Sequence, residues 1–315
     1  MKVLKKILKF LGIALLSFVA LIVVFLFGIK IWNHIAMNSE KEMLADHPGI
    51  SVEVDGSNMN IYVEGEGDHT LVFMAGWKCP SPMYSFKPLY SQLSGDYRCV
   101  VIEKFGYGFS DGFDGTRDFD TILRQDREAL KKAGIEGPYV LCAHSLSGLE
   151  AELWAQKYPD EVEAIIGLDM CVGGCFDPVE DTKDCATQNK IDKFGAFFGM
   201  NRFLMSISEF EGYTEEEIKL YIAVGCKNLG NDTAQREMEG IVAVFDEINS
   251  MPLPDVPTIQ YVSGVNKDDE MWVDSHHNIV NASSNGKYVQ LECGHNVYEY
   301  EADRIAGDIK SFLGE

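Results

Sequence analysis

The sequence predicts an α/β protein, with a mostly parallel central sheet flanked by helices and a transmembrane helix ahead of it. An uncharged apolar run, residues 10–29, lies near the N-terminus. Short apolar runs then alternate with helical stretches, which is typical of an open α/β sheet with right-handed crossovers. A purely helical stretch, 172–254, interrupts this alternation. We therefore also expect an inserted helical cap.

The apolar run is long enough to cross a membrane. As a helix it spans about 30 Å, the hydrocarbon thickness of a bilayer. It is longer than the apolar core of a signal peptide, and no Ala-x-Ala-like site follows it, so an anchor is favoured over a signal peptide or a buried core helix. Four lysines precede the run and only Lys30 follows closely, which places the N-terminus in the cytoplasm. We expect a single-pass cell-membrane protein with an anchor at 1–31, a connector at 32–48 and an extracellular body.

The charge of the chain excludes nucleic acid as its main partner. Its 315 residues include 27 lysines and arginines and 49 aspartates and glutamates, for a formal net charge of −22. Such a surface repels phosphate backbones, which proteins bind by neutralising them with Lys and Arg. Every lysine among the first 30 residues lies in or beside the apolar run, so the body is more acidic than the whole chain.

Two kinds of strand are expected before the insert. Residues 51–54 and 60–65 alternate apolar and polar side chains, as half-exposed strands do. Nearly continuous apolar runs suit strands that are covered on both faces of a parallel sheet, and four follow: 71–76, 98–103, 139–144 and 164–169. Helical stretches at 122–133 and 149–158 lie between them.

The strand pattern resumes after the insert. Apolar runs return at 257–263 and 287–292, and an amphipathic helix, 301–313, ends the chain. We therefore expect one sheet domain formed by 49–171 and 255–315, with 172–254 as its cap.

Ser145 lies where an apolar strand runs directly into a helix. A serine at such a turn is exposed above the sheet edge, and the following helix presents backbone N–H groups to an anion formed there. The usual motif for this turn is G-x-S-x-G, whereas this chain has Ala143 and Ser147 at the glycine positions, with Gly148 next. The replacements are small, as the crowding of strand and helix requires, although a serine that merely caps a helix is common.

Three further landmarks lie elsewhere in the chain, two before Ser145 and one after it. A strand ends at Gly76-Trp77, a Gly-x-Gly turn at Gly106 and Gly108 follows the next strand, and His295 lies between the last strand and the last helix. With Ser145, these landmarks make the chain resemble the α/β-hydrolase superfamily over about residues 50–314, in particular its lipase, esterase and iminopeptidase-like branch with a helical cap.

The resemblance implies a catalytic triad and an oxyanion hole. Ser145 would be the nucleophile and His295 the general base, and the backbone N–H groups of Trp77 and Leu146 would bind the oxyanion. The acid usually follows the strand after the cap. The family's G-x-x-D spacing from Gly264 lands on Lys267, and Asp268, one residue later, is the favoured acid. Two alternatives stay open: Asp269, and Asp169 at the end of the preceding strand.

No metal or cofactor is expected. Cys171, Cys175 and Cys185 lack paired zinc-ligand spacing, although one disulfide among them stays open. His276 and His277 are adjacent on a predicted helix and point about 100° apart, so they are not expected to share a metal. The sequence predicts no oligomeric state.

The predicted function is a serine hydrolase that cleaves an ester, thioester or amide of a small-molecule acyl substrate through an acyl-enzyme on Ser145. One alternative is an aminopeptidase similar to proline iminopeptidases, in which the cap carboxylates Glu209, Glu211 and 215–217 hold a substrate amino group. Another is a catalytically silent binding or scaffold protein, suggested by the altered Ser145 motif and the imperfect acid spacing.

Overall fold

The computed structural model describes residues 2–314, apart from the side chains of Asp181 and Asp184. Eight strands form one sheet in the order β1-β2-β4-β3-β5-β6-β7-β8. Their bounds are β1 Ile50–Val54, β2 Ser57–Glu64, β3 Thr70–Met74, β4 Arg98–Glu103, β5 Tyr139–His144, β6 Val162–Leu168, β7 Thr258–Val262 and β8 Gly286–Gln290. The pairs β1·β2 and β2·β4 are antiparallel and all others are parallel. The predicted mostly parallel sheet is confirmed.

Helices precede the sheet, connect its strands and form the insert. Those before β6 are α1 Lys2–Ser39, α2 Lys41–Ala45, α3 Pro82–Ser85, α4 Lys87–Tyr90, α5 Phe119–Lys132 and α6 Ser147–Lys157. The rest are α7 Pro178–Phe198, α8 Met200–Ser206, α9 Glu215–Asn228, α10 Asp232–Glu237, α11 Ile241–Ser250, α12 Glu270–Ala282, α13 Val297–Tyr300 and α14 Ala302–Leu313.

Apolar side chains cover both faces of the sheet, as the continuous apolar runs predict. Along β3, Leu71 and Phe73 belong to one buried cluster, and the alternate residues Val72 and Met74 belong to the other. Every residue of β3 and β5 is buried. This two-sided burial holds the carboxyl ends of the central strands in fixed positions, where the candidate site is found.

The chain divides into two compact units. The larger contains His47–Lys190 and Gly230–Glu315, and therefore the whole sheet. The smaller contains the described residues of Met1–Asp46 with Ile191–Leu229. The predicted cap, 172–254, is thus shared between the units: Ile191–Leu229 groups with the N-terminal helix, and the segments on either side of it group with the sheet.

Helix α1 contains residues 2–31 of the predicted anchor and the first part, 32–39, of the predicted connector. An 18-residue window of it has a mean hydropathy of 3.0, and none of that window is buried. Its length and composition fit either a membrane anchor or a signal sequence.

Candidate active site

The turn between β5 and α6 holds Ser145 in a left-handed backbone conformation, with φ of 53°. A residue other than glycine adopts this conformation at a cost of about 1–3 kcal/mol, and such strain is concentrated at functional sites. Ser147 braces the turn, because its Oγ donates to the Met74 carbonyl at 2.6 Å and accepts from the His144 N–H at 3.1 Å. Ser147, which replaces the second glycine of the usual motif, therefore links the turn to β3 by a hydrogen bond.

The Ser145 turn leaves no room for a side chain at position 148, which is occupied by Gly148. A Cβ at Gly148 would lie 2.1 Å from the Cys171 carbonyl oxygen and 2.6 Å from Met170 Cβ. Only glycine therefore allows α6 to approach the segment after β6 this closely. The crowding falls one residue later than the usual motif predicts, which explains why Ser147 is tolerated.

The segment after β3 passes directly against Ser145. A Cβ at Gly76 would lie 2.6 Å from Ser145 Cβ. Among the residues that the structure describes, the backbone N–H groups of Trp77 and Leu146 have no hydrogen-bond partner. The two predicted oxyanion donors are therefore available to an acceptor in the described chain.

Asp169 is the carboxylate beside His295. His295 Nδ1 lies 2.6 Å from Asp169 Oδ2, which also accepts from Asn266 Nδ2 at 3.0 Å, while Oδ1 accepts from the Ser263 N–H at 3.0 Å. Burial raises the pKa of Asp169, but the hydrogen bonds from His295 and Ser263 oppose it, and the net pKa is lowered. Asp169 is thus a buried, ionised acceptor.

The structure places Asp169, and not the preferred candidate Asp268, against His295. Asp268 is exposed, and Asp269 caps α12 by accepting from the N–H groups of Met271 and Trp272 at 3.0 and 3.2 Å. The segment after β7 contributes donors to the site instead of the acid, namely the Ser263 N–H and the Asn266 amide. The family pattern predicts an acid after β7, whereas the carboxylate that contacts His295 follows β6.

The second ring nitrogen of His295, Nε2, is not the one that contacts Asp169. Because Nδ1 lies against Asp169, Nε2 is the nitrogen available to a neighbouring hydroxyl. No hydrogen bond links Ser145 to His295 in the described chain, and such contacts often tighten only when substrate binds. His144 packs beside His295 with 4.6 Å between ring centroids, and burial, together with His295, lowers the pKa of His144 to about 3.

A buried charged network, not predicted from the sequence, reaches the turn after β3 that contains Trp77 and Lys78. Tyr107 accepts from the Lys78 N–H at 3.1 Å and donates to Glu237 at 2.7 Å. Glu237 pairs with Arg117 at 2.5 Å and with Lys104 at 3.6 Å. Lys78 and Glu237 are distant in sequence from the segment 104–117, which holds the other three residues, so only the fold brings the network together.

The described residues include no group of three or more His, Cys, Asp or Glu side chains that would hold a metal ion. His276 instead lies between the Trp272 and Met170 carbonyl oxygens, at 2.6 and 3.0 Å. All eight cysteines are thiols.

Comparison with known proteins identifies the family. No protein-family model matches the chain. YbdG, an uncharacterized protein of Bacillus subtilis strain 168, is 33% identical to it over 319 residues, which cover 97% of this chain and 96% of YbdG.

Solved structures of hydrolases share the fold. An epoxide hydrolase from Bacillus megaterium has a TM-score of 0.66 at 16% identity, over 84% of this chain and 100% of its own. The esterase EaEST from Exiguobacterium antarcticum has a TM-score of 0.64 at 15% identity, over 85% of this chain and 100% of its own. This chain therefore has the fold of these hydrolases. The chain therefore belongs to the family of YbdG and has the α/β-hydrolase fold.

Proposed function

We propose that the protein is a serine hydrolase that cleaves an ester, thioester or amide of a small-molecule substrate through an acyl-enzyme on Ser145. The observation that carries the proposal is the hydrogen bond between His295 and Asp169, beside a serine in a left-handed turn. This arrangement combines a nucleophile, a base and an acid that orients the base.

In the acylation step, Ser145 Oγ attacks the substrate carbonyl and His295 Nε2 takes the hydroxyl proton. The oxyanion of the tetrahedral intermediate is stabilised by the N–H groups of Trp77 and Leu146. Asp169 stays ionised and stabilises the imidazolium. The carbonyl bond to the leaving group then breaks, and His295 returns the proton to the leaving group.

Deacylation repeats these steps with water as the nucleophile. His295 takes a proton from water, the hydroxide adds to the acyl carbon, and the second tetrahedral intermediate collapses. The Ser145 oxygen leaves and regains the proton from His295. The products are a carboxylic acid and the alcohol, thiol or amine released in the first half.

The two other functions predicted from the sequence receive less support. In the aminopeptidase, cap carboxylates would bind an amino group, but Glu217 accepts from the Thr214 N–H at 2.8 Å in a capping box at the start of α9. The silent scaffold was suggested by the altered motif and the acid spacing. Gly148 and Asp169 account for both features.

We further propose that α1 anchors the protein in the cell membrane by a single pass, with its N-terminus in the cytoplasm and the sheet domain outside. The uncharged run 10–29 and the excess of lysines before it support this topology.

Labelling with a fluorophosphonate probe tests the hydrolase proposal. The full chain in detergent micelles is compared with Ser145→Ala, with a heat-denatured sample and with Ser284→Ala, which removes an exposed serine. We expect labelling of the folded parent and of Ser284→Ala only. Equal labelling of Ser145→Ala, or turnover of short acyl esters by that variant, would overturn the assignment. Comparing the turnover of a proline-nitroanilide with that of short acyl esters distinguishes an aminopeptidase from an esterase.

A further inference from the structure

The smaller unit exposes a group of large apolar side chains on α7 and α8 and directly after α8. We call this group the apolar cap patch, and each of its members is at least 53% exposed: Ile191, Phe194, Phe197, Leu204 and Ile207. Contiguous exposed apolar side chains mark interaction surfaces in soluble domains. Five such residues within one short helical segment therefore require a partner.

The segment that carries this patch packs against the membrane-length helix itself. The Phe203 ring lies 5.4 Å from the Phe25 ring, and the Phe198 ring lies 6.4 Å from the Phe27 ring, measured between centroids. At a rise of 1.5 Å per residue, Phe25 and Phe27 lie about 6 and 3 Å inside the end of the apolar run at Ile29. If α1 spans a bilayer, the cap residues that touch these rings are level with its outer boundary.

Helix α8 runs antiparallel to α1, toward the apolar run. Its N-cap Gly199 lies against Asn33, since a Cβ there would be 2.4 Å from Asn33 Cβ. Its residue Phe203 lies against Phe25, two turns earlier on α1. Leu204 and Ile207 follow Phe203, and therefore lie at the end of α8 nearest the bilayer.

A buried ion pair fixes this arrangement. Arg202 is buried, and its two terminal nitrogens contact the Glu40 carboxylate at 2.7 and 2.5 Å, while its Nε donates to Asn33 at 2.8 Å. A bidentate pair of this kind holds its partners in one orientation. The pair therefore holds α8, which carries Leu204, against the end of α1 that follows the apolar run.

Charged groups limit how deeply the patch can enter. Lys30 Nζ lies 3.2 Å from the centroid of the Phe197 ring, at the end of the apolar run. Glu209 and Glu211 are exposed and follow Ile207 closely. Charged side chains at hydrocarbon depth are unfavourable, so these groups keep the patch in the interfacial layer.

We propose that the apolar cap patch is embedded in the outer interfacial layer of the same bilayer that α1 spans, so that lipid is its partner. The proposal rests on the anchoring proposed above and is independent of the chemistry at Ser145. A helix that lies in an interface gains binding free energy from its buried apolar area, and the attached span confines this patch to the membrane surface.

Depth-dependent quenching of tryptophan fluorescence tests the proposal on the full chain in vesicles of phosphatidylcholine. Phe197→Trp and Ile207→Trp report on the patch, and Tyr300→Trp is the matched control, because Tyr300 is 65% exposed and belongs to the larger unit. The signal of each variant is the difference from the parent chain. The vesicles carry phosphatidylcholine brominated at shallow or at deep acyl positions.

We expect shallow bromines to quench the two patch tryptophans at least twofold more than the control tryptophan. Quenching equal to the control would overturn the proposal. A second result would also overturn the proposal. If both patch tryptophans are protected from lipid bromine and from acrylamide, and only in vesicles that hold several copies of the chain, the partner of the patch is a second copy. Extraction by alkaline carbonate tests the span separately, and fluorophosphonate labelling of the same samples tests Ser145, so the three failures are distinguishable.

Discussion

His295 Nδ1 and Asp169 Oδ2 lie 2.6 Å apart, although 126 positions separate the two residues in the sequence. Asp169 follows β6 with φ of 51°, and His295 follows β8. The carboxyl ends of parallel strands meet at one edge of a sheet, which brings the two side chains together. The left-handed backbone at Asp169 helps to aim its carboxylate at the imidazole.

Replacing Asp169 should reduce turnover far more than replacing Asp268, the acid preferred from the sequence. We expect Asp169→Asn to lower kcat by about 10³–10⁴-fold, because the imidazolium loses its buried counter-charge and His295 loses its orientation. Asp268→Asn, at an exposed position, should change kcat less than about twofold. Hydrolysis of a nitrophenyl ester measures both, and a larger loss in Asp268→Asn would contradict the assignment.

A methyl group at Gly148 should distort the nucleophile turn. Its Cβ would lie 2.1 Å from the Cys171 carbonyl oxygen, so we expect Gly148→Ala to lower the free energy of unfolding by about 1–3 kcal/mol or more. The matched control is Gly307→Ala in α14, where nothing lies within 4 Å of the added Cβ. That change should stabilise the chain by about 1 kcal/mol, because alanine favours a helix. Thermal unfolding followed by circular dichroism compares them, and equal Tm values would refute the crowding argument.

The Tyr107 hydroxyl should act as a positioning group for the oxyanion turn. Tyr107→Phe removes the acceptor for the Lys78 N–H and the donor to Glu237. We expect kcat to fall about tenfold with KM nearly unchanged, because the oxyanion donors are used in the transition state. The control is Tyr288→Phe, whose hydroxyl bonds to Gln290. A proportional rise in KM, or the same effect in the control, would argue against this role.

The buried Glu152 should make stability depend on pH. Burial raises its pKa from 4.5 to about 7, against one hydrogen bond from the Gly173 N–H at 2.8 Å. Between pH 4.5 and 7 the folded chain keeps a proton that the unfolded chain releases, so this group's contribution is present below pH 4.5 and is lost as pH rises to 7.

Glu152→Gln should remove that dependence. The free energy of unfolding of Glu152→Gln minus that of the parent chain should increase by about 2–3 kcal/mol from pH 4.5 to pH 7.5. Urea unfolding at the two pH values measures the change, and Glu136→Gln at an exposed position is the control. The lowered pKa of His144 gives the opposite pH dependence. Its contribution to the free energy of unfolding is lost as pH drops from about 6.5 toward 3. A flat difference between Glu152→Gln and the parent would contradict the prediction.

The sequence predicted the features that depend on local pattern. Apolar runs such as 71–76 and 139–144 become strands buried on both faces, because burial on two faces requires a continuous apolar sequence. Ser145 was identified because a nucleophile turn needs a strand, a serine and a helix in direct succession. The apolar composition of α1 was likewise sufficient to indicate a helix of membrane-spanning length.

The tertiary structure alone decided the features that depend on approach between distant segments. Asp169, and not Asp268, contacts His295, and Ser263 and Asn266 after β7 donate to the Asp169 carboxylate. The network around Glu237 and the pairing of Arg202 with Glu40 join residues that no local pattern relates. A sequence specifies its own periodicity, but hydrogen bonds between segments depend on distances of a few ångströms, which are set only when the whole core is packed.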